Sequence, residues 1–236
     1  MENTNLSNAK FIQVDLTKIE NKSLAGANLN ATSFAHSNLS DVDLSGVTIV
    51  ETNFWKTDLS DVDFTVTDPT EGLVFMEANL SNSNFEGVDL SPKQLFFNIF
   101  ENKAYLLSGQ TQSSDPSQIL TNEQILRNEL FGKYSTVLII SSEVRGNDLA
   151  VNYVVYSTFT KANLENANFK NAKLWNVNFH LANLANADLS GADLTRAYLA
   201  GADLSNADLD GANLEDVFVS ELTNLKCKNH SICDSD

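Results

Sequence analysis

The sequence has few basic residues, and this shortage excludes one class of function. Of its 236 residues, 15 are Lys or Arg and 31 are Asp or Glu, which gives a formal net charge of -16. Direct nucleic-acid binding is therefore not expected, because it depends on Lys and Arg contacts to phosphates. The charge favours solubility, and it is compatible with a basic protein partner or with a surface that imitates DNA.

Cysteines and long apolar runs are also scarce. The two cysteines, Cys227 and Cys233, both fall in the last ten residues, so the fold does not depend on a disulfide framework. No stretch approaches the roughly 18 apolar residues of a transmembrane helix. The start, MENTNLSNAKF, predicts no signal peptide. A cytoplasmic location is favoured, and an extracytoplasmic one stays open in case a signal peptide has been removed.

What the sequence does contain is a five-residue repeat. Each repeat has a large apolar centre, a small residue two positions before it, and a polar residue, usually Asn or Asp, between the two. Gly, Asn or Asp recurs two positions after the centre. The centres are Leu6, Phe11 and Leu16, then every fifth residue from Leu24 to Phe64, from Phe75 to Leu90 and from Phe159 to Leu214. The last run extends forwards to Val219 and backwards through Val154, Leu149, Val144 and Ile139.

A five-residue period fits neither a helix nor a straight strand. On a helix, successive centres would drift by roughly 140° and form no stripe. On a strand, an odd spacing would put successive centres on opposite faces. The pattern fits a short extended step followed by a turn, and the residue two positions after the centre is suited to the positive φ of a type II turn. The sequence therefore predicts a coil with flat sides and corners.

The phenylalanine spacing indicates the number of sides. Phe34, Phe54 and Phe64, and then Phe159, Phe169 and Phe179, are separated by multiples of ten, and no two adjacent centres within an uninterrupted run are both Phe. This spacing fits a coil of four sides, with one repeat per side, in which Phe occupies two opposite sides and Leu the other two.

The units ANLEN, ADLSG, ADLTR, ADLSN and ADLDG resemble the tandem A-(D/N)-L-x-x units of the pentapeptide-repeat family. The resemblance implies a right-handed, four-sided parallel β-helix, an all-β solenoid of about eight coils and about 40 Å in length. Some members of that family are similar in charge and shape to duplex DNA and bind DNA gyrase or topoisomerase IV in its place. Those members are dimers joined through C-terminal elements. Here the C-terminal segment has too little apolar periodicity to predict a dimerising helix.

The repeat is interrupted at three places. The segments TKIENKS and TDPTEG predict local bulges in the coil. After Leu90 the repeat stops for much longer, and helix-start patterns at Ser91–Pro92–Gln94 and at Thr121–Gln124 predict two short amphipathic helices. The predicted domains are therefore an N-terminal β-helix at 1–90, a helical insertion at 91–138, a C-terminal β-helix at 139–222 and a tail at 223–236.

Two surfaces are candidates for contact with a partner. The insertion either packs against the coil or forms a binding knob, and its candidate contact residues are Phe96, Phe97, Phe100, Leu126 and Leu130. The other surface lies in residues 1–90, which hold 14 acidic and 4 basic side chains. Its candidate contact residues are Asp41, Asp43, Asp61 and Asp63.

The sequence contains no pattern typical of catalysis. A β-helix filled with Leu, Phe and Ala leaves no interior pocket, and no phosphate-binding loop or hydrolase motif is present. We predict no enzyme activity and no cofactor. Cys227, His230 and Cys233 leave three alternatives open: a disulfide, two free thiols in a tail, or three zinc ligands, one fewer than a closed site needs.

These observations predict a non-enzymatic protein that serves as a rod-shaped interaction partner or scaffold. Its protein partner is unknown, and it is expected to be a monomer or a homodimer. The alternative hypothesis is a DNA-mimicking binder of a type II topoisomerase such as DNA gyrase.

Overall fold

The computed structural model of the chain describes residues 1–67, 72–91, 93–99, 137–145, 148–155 and 157–233. The chain divides into two compact units. One comprises Met1–Pro92 and Tyr156–Asp236, and the other comprises Lys93–Val155.

The first unit is a parallel β-helix with four sides. The polar residue before each centre forms a parallel bridge to its equivalent in the next coil, most often four repeats further on, as in Asn163 with Asn183. Side 1 carries Asn5, Asn28, Thr48, Asp89, Lys173, Asp193 and Asn213; side 2 carries Lys10, Ser33, Asn53, Val74, Thr158, Asn178, Tyr198 and Phe218. Side 3 carries Asp15, Asn38, Asp58, Asn79, Asn163, Asn183, Asp203 and Asn224; side 4 carries Ser23, Asp43, Asp63, Asn84, Asn168, Asp188, Asp208 and Lys228. Side 2 has one of these residues in each coil, and the coils are numbered 1 to 8 in the order in which the side 2 residues occur.

The predicted corners are confirmed. The amide of Ala27 donates to the carbonyl of the centre Leu24 at 2.9 Å, which closes one turn, and Gly26 between them has a φ of 67°. Asn166 occupies the same position with a φ of 58°. The side chain of the polar residue before a centre often accepts the backbone amide of the residue two positions after it, as Asn28 accepts the amide of Asn30 at 3.0 Å. This local bond favours the turn.

The predicted arrangement of phenylalanines on opposite sides is also confirmed. Along side 2, neighbouring rings stack with centroids 4.8 to 5.6 Å apart, and along side 4 with centroids 4.4 to 4.8 Å apart. The two stacks meet edge to face, as Phe75 and Phe85 do at 6.1 Å. The stacked rings are Phe11, Phe34, Phe54, Phe75, Phe159 and Phe179 on side 2, and Phe64, Phe85 and Phe169 on side 4.

The bridges locate the interruptions. On sides 1 to 3, the bridges from coil 1 to coil 2 join residues more than four repeats apart, as from Asp15 to Asn38, and the extra residues form two short 3-10 helices, Leu16–Lys18 and Glu20–Lys22. One extra residue lies between Asp63 and Val74, because the bridges from Asn53 to Val74 and from Asp63 to Asn84 both exceed four repeats by one residue. The long interruption falls between side 1 and side 2 of coil 5, because Val74 in turn pairs with Thr158.

The second unit contains a three-stranded antiparallel sheet with strand order β1-β3-β2. Its strands are β1, Lys93–Ile99; β2, Val137–Arg145; and β3, Asp148–Val155. β1 pairs with β3 in a register that sets Phe96 opposite Asn152, and β2 pairs with β3 with an irregularity between Ile139 and Ser141.

The sheet corrects two predictions. The first predicted helix is wrong over Lys93–Ile99, because this aromatic-rich segment pairs with β3, and long-range pairing overrides a local helix-start pattern. The β-helix also does not resume at Ile139, since Val137–Arg145 and Asp148–Val155 form antiparallel strands. A corner in that register would require a positive φ at Val151, which β-branching disfavours. The second predicted helix lies outside the described residues.

Candidate interaction surfaces

Four carboxylates form an acidic surface on coils 2 and 3, here called the acidic corner. Asp41 and Asp61 occupy corner positions between sides 3 and 4, with φ of 55° and 61°. Asp43 and Asp63 are the next outward residues on side 4. All four side chains are exposed. Because one coil comprises four repeats, residues distant in sequence are placed on neighbouring coils.

Hydrogen bonds hold these carboxylates in fixed orientations. Asp43 accepts the amide and hydroxyl of Ser45 at 2.9 and 2.5 Å, and Asp63 accepts those of Thr65 at 2.9 and 2.6 Å. The Ser45 hydroxyl lowers the pKa of Asp43 below its ordinary value of 3.8. Asp43 therefore keeps its charge to a lower pH than an ordinary aspartate does.

The partners of the corner carboxylates leave most of this charge exposed. Asp41 forms an ion pair with Lys22 at 3.1 Å, and both side chains are largely open to solvent. Asp61 accepts the side-chain amide of Asn82 at 3.2 Å. In coils 4 and 5 the same positions hold amides, with the Asn166 side chain donating to Asn82 at 3.2 Å. The carboxylates at this corner thus belong to coils 2 and 3, and a neutral amide ladder continues from them.

A shallow groove lies between the corner after side 2 and the outward row of side 3. Its cavity volume is about 380 Å³, and its lining residues are Gln13, Val14, Asp15, His36, Ser37, Asn38, Lys56 and Asp58. Two of its charged groups are already engaged: Asp58 accepts the Asn79 amide at 3.0 Å, and Lys56 pairs with Glu77 at 3.3 Å. The His36 ring contacts Trp55 edge to face at 4.7 Å.

The cysteines cover the C-terminal end of the core. Cys227 and Cys233 are joined by a disulfide, which is one of the three alternatives left open by the sequence. Ile232 and both cysteines are half-buried against the core. The His230 ring accepts the Ile232 amide at 3.2 Å, which orders the small loop. Among the described residues, no group of His, Cys, Asp or Glu is arranged to hold a metal.

The contact residues predicted in the insertion are only partly described. Phe96 and Phe97 lie in β1, opposite Asn152 and Val151 of β3. Phe100, Leu126 and Leu130 lie outside the described residues. The structure therefore brings together the four aspartates but leaves the insertion as a prediction.

An apolar strip on side 2 was not predicted from the sequence. Most of the exposed large apolar residues in the described parts of the chain lie in the outward row of side 2 or at the corner that follows it. They are Ile12, Trp55, Leu181, Tyr198, Phe218 and Leu222, here called the apolar strip. The sequence does carry a signal, because Tyr198 and Phe218 replace the Asn or Asp that usually precedes a centre.

No helix in the described parts of the chain is long and apolar enough to cross a membrane.

The repeats match a family model described as pentapeptide repeats. It matches the chain in eight copies, at residues 23–65, 156–183, 162–199 and 178–216. A search of curated proteins finds no significant match.

Solved structures of repeat proteins cover most of this chain at low identity. HetL, a pentapeptide repeat protein involved in heterocyst differentiation regulation from Nostoc, is 19% identical, with 96% of this chain and 89% of that chain covered and a TM-score of 0.24. Rfr23 from Cyanothece is 17% identical, with 86% and 90% covered and a TM-score of 0.24. QnrB1, a plasmid-mediated fluoroquinolone resistance protein, is 13% identical, with 94% and 93% covered and a TM-score of 0.26.

Identities this low carry no information about shared partners. The tandem matches to the family model and the four-sided coil nevertheless agree on the repeat. The chain therefore belongs to the pentapeptide-repeat proteins, whose fold is the right-handed quadrilateral β-helix.

Proposed function

We propose that this protein is a non-enzymatic interaction scaffold whose β-helix presents the acidic corner to a basic protein partner. The observation that carries the proposal is the grouping of four exposed carboxylates on two adjacent coils. The stacked Phe and Leu centres behind them form a continuous core, which makes the coil a rigid support.

Electrostatics determines what such a surface contributes. Exposed charges on a rim add more to the association rate and to the choice of partner than to affinity. The low pKa of Asp43 keeps its charge down to acidic pH. We therefore expect association with the partner to be fast and to weaken as salt rises.

A comparison of two charge-matched variants tests the proposal. In the first, Asp41, Asp43, Asp61 and Asp63 are changed to Asn. The control changes Asp188, Asp193, Asp203 and Asp208 to Asn, which removes the same charge from later coils. A protein captured from cells by the tagged full chain is purified, and its Kd for each form is measured at several salt concentrations.

We expect the first variant to raise the Kd by about tenfold and to reduce its salt dependence, while the control changes it by less than about twofold. An equal effect of the two variants would mean that net charge, rather than the acidic corner, attracts the partner, and the proposal would fail.

The insertion is proposed as a second contact element, through Phe96, Phe97, Phe100, Leu126 and Leu130. Removing residues 93–156 together with Pro92→Gly, which lets the coil close, and repeating the same binding measurement tests it. Unchanged affinity would assign the whole contact to the β-helix.

A second candidate function is imitation of DNA toward a type II topoisomerase. It is favoured by the net charge of -16 and by carboxylates placed on successive coils about 4.8 Å apart. A supercoiling assay with and without quinolone tests it, and no effect at micromolar protein would exclude it. Such a target requires a cytoplasmic location, whereas a disulfide is typical of oxidising compartments.

A further inference from the structure

We propose that two copies of this chain associate side by side and antiparallel through side 2, with the apolar strip at the interface. The proposal does not depend on the acidic corner, which lies on sides 3 and 4 and stays exposed in the pair. It rests on the distribution of apolar and charged residues around the coil.

Charge singles out side 2. Among the described residues, its outward row and following corner carry three lysines and two glutamates: Lys10, Lys56, Lys161, Glu77 and Glu221. Each of the other three sides carries at least twice as many acidic as basic residues. Two copies that each carry -16 repel one another through any of those sides. Side 2 can approach its equivalent without this repulsion.

The same side holds the exposed apolar surface. Tyr198 and Phe218 stack with ring centroids 4.7 Å apart, and Phe218 is 51% exposed. At the neighbouring corner, a Cβ added to Gly201 would lie 2.6 Å from Leu181 and 4.0 Å from Leu222, so these two leucines flank Gly201. Leu222 is 79% exposed. An exposed apolar patch rimmed by polar residues is typical of a protein interface.

The position of the apolar residues selects the antiparallel arrangement. Most of them lie on the corner after side 2, and an antiparallel two-fold axis brings this corner of one copy against the same corner of the other. A parallel pair would instead set it against the corner before side 2, which carries Glu51, Glu215, Asp216 and one basic residue, Arg196, paired with Asp216. The antiparallel pair therefore sets the corner that carries most of the apolar strip against its equivalent, and the parallel pair sets it against acidic residues.

One register of this antiparallel pair brings Trp55 to the most exposed ring and also sets two opposite charges against each other. With the two-fold axis between coils 5 and 6, coil 3 of one copy faces coil 8 of the other. Trp55 then meets the Phe218 region, and Lys56 faces Glu221. Within its own copy, Lys56 also pairs with Glu77 at 3.3 Å and lies 5.0 Å from the centre of the Trp55 ring.

The area predicts a weak dimer. Six coils are about 30 Å long, and a five-residue side with its corner is at most about 16 Å wide, so each copy contributes at most roughly 500 Å². A total of roughly 1,000 Å² is at the lower limit for specific association, so we expect a Kd of about 10–100 µM.

Sedimentation velocity of the full chain, from about 1 µM to about 300 µM, brackets this affinity. We expect a reversible monomer–dimer equilibrium. Phe218→Asp should raise the dimer Kd at least about tenfold, because it buries an unpaired charge. The matched control is Val66→Asp, which introduces the same charge at an apolar residue of similar exposure, 41%, at the corner after side 4. It should change the Kd by less than about twofold.

Charge exchange tests the register. Lys56→Glu and Glu221→Lys should each weaken the dimer, and the two changes together should restore most of it, because residues 56 and 221 are again of opposite sign while Glu77 of the same copy still lies beside residue 56. Circular dichroism melting of each variant verifies that the coil is folded.

Three outcomes would overturn the proposal. They are a chain that is monomeric throughout the concentration range, equal effects of Phe218→Asp and Val66→Asp, and failure of the double exchange to restore the dimer. A monomeric chain would mean that the apolar strip is left to contact a different protein.

Discussion

Ala31 shows how the coil imposes its backbone on individual residues. It occupies a corner position with a φ of 55°, where Gly26 and Gly46 have φ of 67° and 65°. A left-handed conformation costs a residue with a Cβ roughly 1–2 kcal/mol. Packing and hydrogen bonds on both sides of such a residue hold it there, so the repeat tolerates residues that local preference would not choose.

We predict that Ala31→Gly stabilises the protein by about 0.5 kcal/mol, because relief of the positive φ exceeds the greater entropy of glycine in the unfolded chain. The reverse change, Gly211→Ala, should destabilise it by about 1 kcal/mol. Gly211 has a φ of 66° and no atom within 4 Å of an added Cβ, so only the backbone is affected. Urea midpoints measure both changes, and a shift of the same sign in the two variants would contradict this explanation.

The pKa of Asp43 provides a second prediction at this scale. Its pKa in the folded protein is lowered chiefly by the hydrogen bond from the Ser45 hydroxyl. The stabilisation from this carboxylate is therefore complete above the ordinary pKa of 3.8 and is lost as the pH falls through the lowered pKa. Ser45→Ala should move the pKa of Asp43 back toward 3.8 in a carboxyl NMR titration.

Ser40→Ala is the matched control for this titration, because the Ser40 hydroxyl donates to Asn38, which does not titrate, at 2.8 Å. It should leave the pKa of Asp43 unchanged. A pKa of Asp43 that stays low in Ser45→Ala would show that the hydroxyl is not the cause.

At the scale of the structural element, the phenylalanine stack joins coils that are distant in sequence. Phe75 stacks on Phe54 at 5.3 Å and on Phe159 at 4.8 Å, and it also meets Phe64 and Phe85 edge to face. The stack therefore continues across the insertion and connects the N-terminal and C-terminal parts of the β-helix.

We predict that Phe75→Ala destabilises the protein by about 3–5 kcal/mol, since it leaves a cavity at the centre of the stack. Phe218→Ala, on the outside of the same side, should change the stability by less than about 0.5 kcal/mol. Chemical denaturation measures the free energy of unfolding of both variants. Similar decreases in the two would contradict the distinction between the buried centres and the outward residues of side 2.

The C-terminal disulfide is expected to stabilise only the coils next to it. Because the loop that it closes is short, the loop-entropy model gives about 2 kcal/mol for its removal, and each repeat contacts only its neighbours. We predict that reduction increases hydrogen exchange in residues 213–233 and leaves coils 1 to 5 unchanged. Faster exchange throughout the β-helix would show that the cap supports the whole solenoid.

At the scale of the whole molecule, the two units are separable along the chain. Val74 pairs with Thr158 across the insertion. Removal of residues 93–156 would leave these two residues four repeats apart in the sequence, which is the separation of paired residues in an ordinary coil. Ser91 and residue 92 then form an ordinary corner. Residue 92 must accept a positive φ, which proline cannot adopt, so the deletion needs Pro92→Gly.

We predict that this deletion variant folds as an uninterrupted β-helix, with a circular dichroism spectrum and a melting midpoint close to those of the parent. The control is a deletion one residue longer, 93–157, which leaves a coil one residue short that cannot align Phe159 with Phe75. Equal stability of the two deletion variants would mean that the coil register does not determine whether the shortened β-helix is stable.

The sequence alone determined the coil, its four sides, its corners and the opposite placement of phenylalanine, because each depends on contacts that recur with every repeat or every coil. Tertiary structure alone decided that Lys93–Ile99 is a strand, since its partner β3 begins only at Asp148. It also decided that the exposed apolar residues gather on side 2. A surface is formed by residues on different coils, so it depends on the register of the whole solenoid rather than on any local pattern.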